Sequence, residues 1–326
     1  MKLSWIYRAA GAELTAATAA RLAQAAAAHA SDKVKLMAQL CYEINAIGDT
    51  GKARGTIRQY VARWPLDAEG LTMLARVSRL RGYLPEALLA AQQSYGENPF
   101  RAEAYDEAEL AMLGLDRYDD ALQLETQAQR NGVGAGGHAL AAAYLGGKTD
   151  VLTKQIDTVK GMVDHAADSG HVQEMNAAIG DYGLYLDNTG QLSAGEAVWR
   201  AAAMGRAGIP GLASAQASLM AQAALDRALV ESCPEALRIA GEVRTMERGP
   251  IASFNAAMAA ALCGNKTYAT KAIAELQQNF PHDTAVTQHY VPELAATADI
   301  GVNEPTNALQ LLIGIGDYDQ VSLAPF

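Results

Sequence analysis

Four side chains in the first third of the chain have the types and spacing to hold an anion. Tyr42 and Asn45 stand three residues apart, and Arg76 and Arg79 repeat that spacing 34 residues later. Residues three apart on a helix share a face. Two guanidinium groups beside an amide and a phenol can grip a carboxylate by bidentate hydrogen bonds. The four predict a polar, locally basic ridge for an acidic peptide or protein segment. On a chain whose net charge is -10, such a ridge is a local exception.

Reactive chemistry is harder to find. The stretch "GGKTD" at 146–150 imitates the end of a phosphate-binding loop, but Ala142 stands where an earlier glycine is required and no strand precedes it. It reads as a helix stop followed by a helix start. "NGVGAGGH" at 131–138 reads as a flexible connection between units. No two of the six histidines form a His-x-x-x-His pair with an intervening Glu, so no helical zinc site is written, and His282 and His289 read as surface residues. Cys41, Cys233 and Cys263, odd in number and widely spaced, read as reduced, unlinked small residues of a reducing compartment. No Ser or Cys sits in a nucleophile elbow. Tyr182, Tyr185 and Trp199 read as aromatics packed between helices. The sequence thus predicts no catalytic residue, no cofactor and no metal, and the chain is not expected to be an enzyme.

The elements that must position the ridge are written as a repeat. Gly48 and Ala53 recur as Gly82 and Ala87, and Pro65 recurs as Pro99, each 34 residues on. The Ala slot is expected at Ala16, Ala53, Ala87, Ala121, Ala197, Ala236, Ala272 and Ala308, with Leu152 in an intermediate unit. Twelve residues earlier runs a second small column, Cys41, Ala75, Ala224, Ala260 and Ala296, with Glu109 and Tyr185 as exceptions. Two small columns let paired helices approach closely. Glycine suits the left-handed end of a helix, and Pro85 and Pro234 suit helix starts, where a missing N–H costs little. Apolar residues never alternate as a strand requires. The expected fold is all-α: one continuous stack of eight to nine antiparallel helix pairs. It divides into N-terminal repeats at 1–131 with the first truncated, an irregular enlarged stretch at 132–210, and C-terminal repeats at 211–326.

This pattern resembles the tetratricopeptide repeat (TPR), a 34-residue helix–turn–helix unit. The match is strong over 32–131 and looser to about 316, and the family's Trp-Leu-Gly signature is mostly absent, so the repeats are degenerate. The resemblance implies a right-handed superhelical α-solenoid whose first helices line a concave face, where Tyr42, Asn45, Arg76 and Arg79 would lie. Clamps for Hsp70 and Hsp90 tails need Lys and Asn at set slots. Ala38 and Thr72 stand at two of them, so that partner is not expected. The order "SWIYRAAGAELTAATAARLAQAA", "SDKVKLMAQLCYEINAIGDTGKA", "RWPLD" and "NFPHDTAVTQHYVPELAATADIGVNEPTNALQLL" also resembles the repeat halves of large bacterial signalling proteins. There such a half follows a winged-helix DNA-binding domain or a eukaryotic-type Ser/Thr kinase domain. The kinase motifs, a Gly-rich loop, His-Arg-Asp and Asp-Phe-Gly, do not occur in this sequence.

These readings converge on a non-catalytic protein–protein interaction scaffold or sensor module that holds a peptide or protein segment. A structural role, with self-association through uncapped array ends, is the second reading. An enzyme on a helical array is the third, and it lacks convergent reactive groups. The acidic balance disfavours direct nucleic-acid binding. No apolar run reaches ~18 residues, so no membrane helix is expected. The start "MKLSWIYRAAGAEL", broken by Arg8, does not read as a signal peptide, which together with the cysteines gives a cytoplasmic expectation.

Overall fold

The computed structural model describes residues 1–133, 138–169, 172–230, 232–301, 304–313 and 315. The centre of the "NGVGAGGH" connection, 134–137, lies outside them. The described residues hold 18 α-helices and no strand, and in chain order the helices make nine helix–turn–helix pairs. They are α1 (Lys2–Ala9) with α2 (Glu13–Ala26), α3 (Asp32–Asn45) with α4 (Thr50–Arg63), and α5 (Ala68–Leu80) with α6 (Leu84–Glu97). Next come α7 (Ala102–Leu113) with α8 (Tyr118–Arg130), α9 (Ala139–Leu145) with α10 (Thr149–Ser169), and α11 (Val172–Asn188) with α12 (Leu192–Met204). The last are α13 (Ala213–Leu229) with α14 (Cys233–Arg244), α15 (Pro250–Leu262) with α16 (Lys266–Asn279), and α17 (Val291–Ile300) with α18 (Pro305–Leu312). A π turn at Val286–Tyr290 leads into α17. Among the described residues the chain is an all-α array of helix hairpins.

The repeat register is fixed at the turn inside each pair. In seven of the nine pairs one residue of that turn takes the left-handed conformation: Gly11, Gly48, Gly82, Asp116, Gly147, Gly190 or Gly264. Asp116, at φ 58°, is the one non-glycine among them. The residue five positions on is the fourth of the second helix, giving Ala16, Ala53, Ala87, Ala121, Leu152, Gly195 and Ala269. The same fourth place in α14 and α18 is Ala236 and Ala308. All of these are buried except the half-buried Leu152. Two slots read from the sequence are therefore corrected. Ala197 is exposed and Gly195 takes its place, while Ala272 lies one turn beyond the true slot, Ala269. Twelve residues before the slots stand Ser4, Cys41, Ala75, Glu109, Leu140, Gly183, Ala224, Ala257 and Ala296, and every one is buried. Tyr185 and Ala260 drop out of that column.

The array divides into two compact units. One gathers Ala27–Leu40 and Thr50–Tyr185. Its core runs through Ala75, Ala87, Leu88, Tyr105, Ala108, Met112 and Leu124. Tyr182 and Tyr185 pack on Leu140 and Val159 in the same unit, as the aromatic reading expected.

The other unit gathers Met1–Ala26, Cys41–Asp49 and the described residues from Leu186 onward. Its core includes Ala221, Ala224, Ile239, Val243, Ala256 and Ala259, and Trp199 is buried nearby in sequence on α12. Here the α1–α2 hairpin rests on loops that come some two hundred residues later. The Thr15 hydroxyl donates to the Gly211 carbonyl at 2.7 Å. Glu13, 6% exposed, lies against Gly249 so closely that a Cβ there would fall on its carboxylate. In the same unit the Thr284 N–H donates to the Gly48 carbonyl at 3.0 Å. The first pair, expected to be truncated and open, is thus docked on its α2 side.

The cysteines also differ from expectation. Cys233 and Cys263 form a disulfide, with Cα atoms 5.3 Å apart, and only Cys41 is free and buried. Their separation of 30 residues is close to one repeat, which brings the start of α14 beside the end of α15.

Candidate binding surfaces

The predicted ridge divides between the two units, and each half is described by itself. Tyr42 is half-buried on α3. Asn45 is only 5% exposed, because its side-chain amide donates to the Ser4 hydroxyl at 2.9 Å. Ser4 in turn donates to the Ala16 carbonyl at 2.8 Å. Asn45 therefore ties α3 to the first hairpin and is not the exposed ligand contact the spacing suggested.

Arg76 and Arg79 do meet a carboxylate, but it is the chain's own. Their Nε atoms donate to Oε1 and Oε2 of Glu107 at 2.5 and 2.8 Å. Glu107 comes from α7 and its side chain is 1% exposed, against 21% and 14% for the two arginines. Burial opposes the charge on Arg76, yet the Glu107 carboxylate holds its pKa above the ordinary value. The preceding residue, Asp106, extends the polar line to α9. His138 Nε2 lies 2.8 Å from its Oδ1. Burial would raise the Asp106 pKa, but His138 and the two arginines hold it below the usual range. Thr72, at one of the clamp slots, is fully buried and accepts from Arg101 Nε at 2.8 Å. The first helices of this unit thus carry a ladder of charges that satisfy one another.

A different surface of the same unit is open. Between α6 and α8 lies a groove of about 530 Å³ lined by Tyr95, Met112, Arg117, Leu124, Gln127 and Arg130, among others. Its apolar wall is rigid. Tyr95 stacks on the fully buried Tyr105 with ring centroids 4.8 Å apart, and the Tyr105 hydroxyl donates to the Pro99 carbonyl at 3.2 Å. Arg117 is paired with Asp120 at 2.7 Å. Arg130 is exposed at the end of α8 and has no ion pair among the described residues. This groove is not marked by the ridge spacing, because most of its lining stands on the second helices α6 and α8, outside the face expected to bind.

The other candidate sequences have plain structural roles. Lys148 of "GGKTD" pairs with Asp119 at 2.8 Å, and Gly147 is the left-handed residue that starts α10. His289 lies 3.2 Å from Glu293. Among the described residues no three His, Cys, Asp or Glu side chains converge as metal ligands, and no helix is long and apolar enough to cross a membrane.

No family model matches the chain, and no curated protein matches it. Among solved structures, the crystal structure of the P58(IPK) TPR domain covers 90% of this chain and 96% of that chain, at 11% identity and a TM-score of 0.31. At that score the likeness adds nothing to the hairpin architecture, which rests on this chain's own turns and small-residue columns.

Proposed function

We propose that the chain is a non-catalytic scaffold that holds an acidic protein segment, and that the groove between α6 and α8 is its recognition surface. The observation that carries this reading is the exposed Arg130 guanidinium beside an apolar wall of Tyr95, Met112 and Leu124. A segment with a carboxylate flanked by an aliphatic or aromatic side chain fits that combination. Charge-assisted bonds to Arg130 would orient it, and the Tyr95 ring, held by its stack on Tyr105, offers contact area with little entropy to lose. The Arg76–Arg79 ridge is the weaker surface, since an outside carboxylate must first displace Glu107. The resemblance to repeat halves of bacterial regulators makes a signalling protein the setting for such a scaffold.

The test is a library of fluorescent nonapeptides bearing Asp or Glu beside Leu or Phe, read by anisotropy. We expect saturable binding that weakens as salt rises, because exposed charges are screened within ~10 Å at 0.1 M. Arg130→Glu should abolish it, and Arg76→Met should leave it unchanged. No binding across the library, or equal binding by Arg130→Glu, refutes the groove. The disulfide favours an oxidising compartment over the cytoplasmic expectation, since thiols are kept reduced in the cytosol. Mass spectrometry of protein purified from its source with thiols blocked should show Cys233 and Cys263 unlabelled. Labelling of both would restore the reducing compartment.

A further inference from the structure

Where the end of α11 meets α12 and α13, two carboxyl groups face each other. Asp226 of α13 is 1% exposed, and Asp187 of α11 is half-buried. Each has one oxygen tied down. Trp199 Nε1 donates to Asp187 Oδ2 at 3.1 Å, and Gln222 Nε2 donates to Asp226 Oδ1 at 3.0 Å. Gln222 is itself held by Asn255 of α15, whose Nδ2 donates to its Oε1 at 3.1 Å. The remaining oxygens, Asp187 Oδ1 and Asp226 Oδ2, are sealed from solvent and meet no donor group. The two carboxyl groups are close enough for the charge of one to act on the other. Two ionised carboxylates cannot bond each other, since both only accept, so a hydrogen bond between them needs a proton on one.

Among the described residues no ion pair joins Asp187 or Asp226 to a cation. Arg200 and Arg227 both bind Glu196, the first at 2.8 Å and the second in close contact. Arg200 also reaches Glu235 at 2.8 Å. Glu196 adds a third negative charge that works against ionising the pair. We propose that Asp187 and Asp226 share one proton, and that losing this proton as pH rises frees the Asp187 end of α11 from Trp199 and Asp226, making this contact a pH-sensitive latch.

The direction follows from the chemistry of the two states. Burial pushes the Asp187 carboxyl up to about 6, and burial with the neighbouring Asp187 charge pushes Asp226 up to about 8. The two titrate as a pair. In the unfolded chain each releases its proton near ~3.9. Between those limits the native state binds more protons than the unfolded state, so this junction's contribution to stability falls as pH rises from about 4 through about 8.

The test follows the Trp199 indole N–H by NMR in the full chain, together with the urea midpoint, from pH 5 to pH 9. We expect the Trp199 resonance to move and the midpoint to fall across that range. Asp226→Asn should flatten both, because the introduced amide supplies a donor at every pH. An unmoved Trp199 resonance in the parent, or the same pH slope in Asp226→Asn, overturns the latch. If the variant fails to fold, ¹³C carboxyl shifts of the parent decide. A late-titrating Asp226 supports the shared proton, and an ordinary aspartate titration at both positions overturns it.

Discussion

The two units treat the loops that lead into their first helices in opposite ways. In the unit built around α5 to α10, the loops before α5 and α7 carry Pro65-Leu66 and Pro99-Phe100, and Leu66 and Phe100 stand 71% and 75% exposed. In the other unit, the loops before α13 and α15 carry Gly211 and Gly249, and the α1–α2 hairpin lies on them. Glycine stands where a helix comes close enough to exclude a side chain, each time beside a proline, Pro210 or Pro250, while Leu66 and Phe100 extend outward. Buried charge follows a second contrast. The first unit neutralises Glu107 and Asp106 with Arg76, Arg79 and His138. The second leaves Glu13 and the Asp187–Asp226 pair in surroundings that raise their pKa values through burial. Asp106 in one half of the array is held below the usual carboxylate range, and Glu13, Asp187 and Asp226 in the other are pushed above it.

The largest effect expected from breaking that contrast is in the charge ladder. Arg76→Met with Arg79→Met strands the Glu107 carboxylate, which is 1% exposed, without a cation. Removing one side of a buried pair costs about 3–5 kcal/mol. Urea unfolding at pH 7 should show that loss, and the same double change made together with Glu107→Gln should cost less, because no charge is then stranded. An equal loss in both backgrounds would mean the arginines matter by packing alone. A smaller effect should come from the roofed loops. Gly48 has φ 71°, and a Cβ there would fall 2.2 Å from Asp283 Oδ2. Gly132, at φ 69°, opens onto free space. Gly48→Ala should cost about 2–3 kcal/mol, since crowding adds to the left-handed penalty, and Gly132→Ala only about 1 kcal/mol. Equal losses in a melting experiment would show that the loop at Gly48 is not tightly covered.

The hairpin stack was legible in the sequence because its turns are chemically constrained. The Gly-x-x-x-x-Ala spacing around Gly48 and Gly82 holds at each within-pair turn with a left-handed glycine, apart from Gly147 and Gly190, which lead to Leu152 and Gly195. The errors at Ala197 and Ala272 arose from following alanine where the glycine was the better guide. Gly190 and Gly264 point to Gly195 and Ala269 directly. The ridge was half legible. Helical spacing put Arg76 and Arg79 on one face but said nothing of what faces them. That partner lies roughly one repeat away. Glu107 follows Arg76 by 31 residues, His138 follows Asp106 by 32, Glu86 follows Arg54 by 32, and Cys263 follows Cys233 by 30. In an array whose units touch only their neighbours, a complementary residue one period on is a contact in waiting. Contacts far beyond one period, such as Thr15 with Gly211, follow no such rule and stayed hidden.

That last contact reorders the history of the chain. Most of a repeat array can settle as it is made, each hairpin on the one before. The first hairpin cannot, because Thr15 must wait for Gly211, 196 residues later. At the ~5–20 residues per second of protein synthesis, the delay is roughly 10–40 s. For that interval the alanine-rich helix α2 has emerged without the surface it will rest on. When the partner loops do arrive, the earliest and latest parts of the chain become members of a single cooperative unit. The segment made first is among the last to reach its final place.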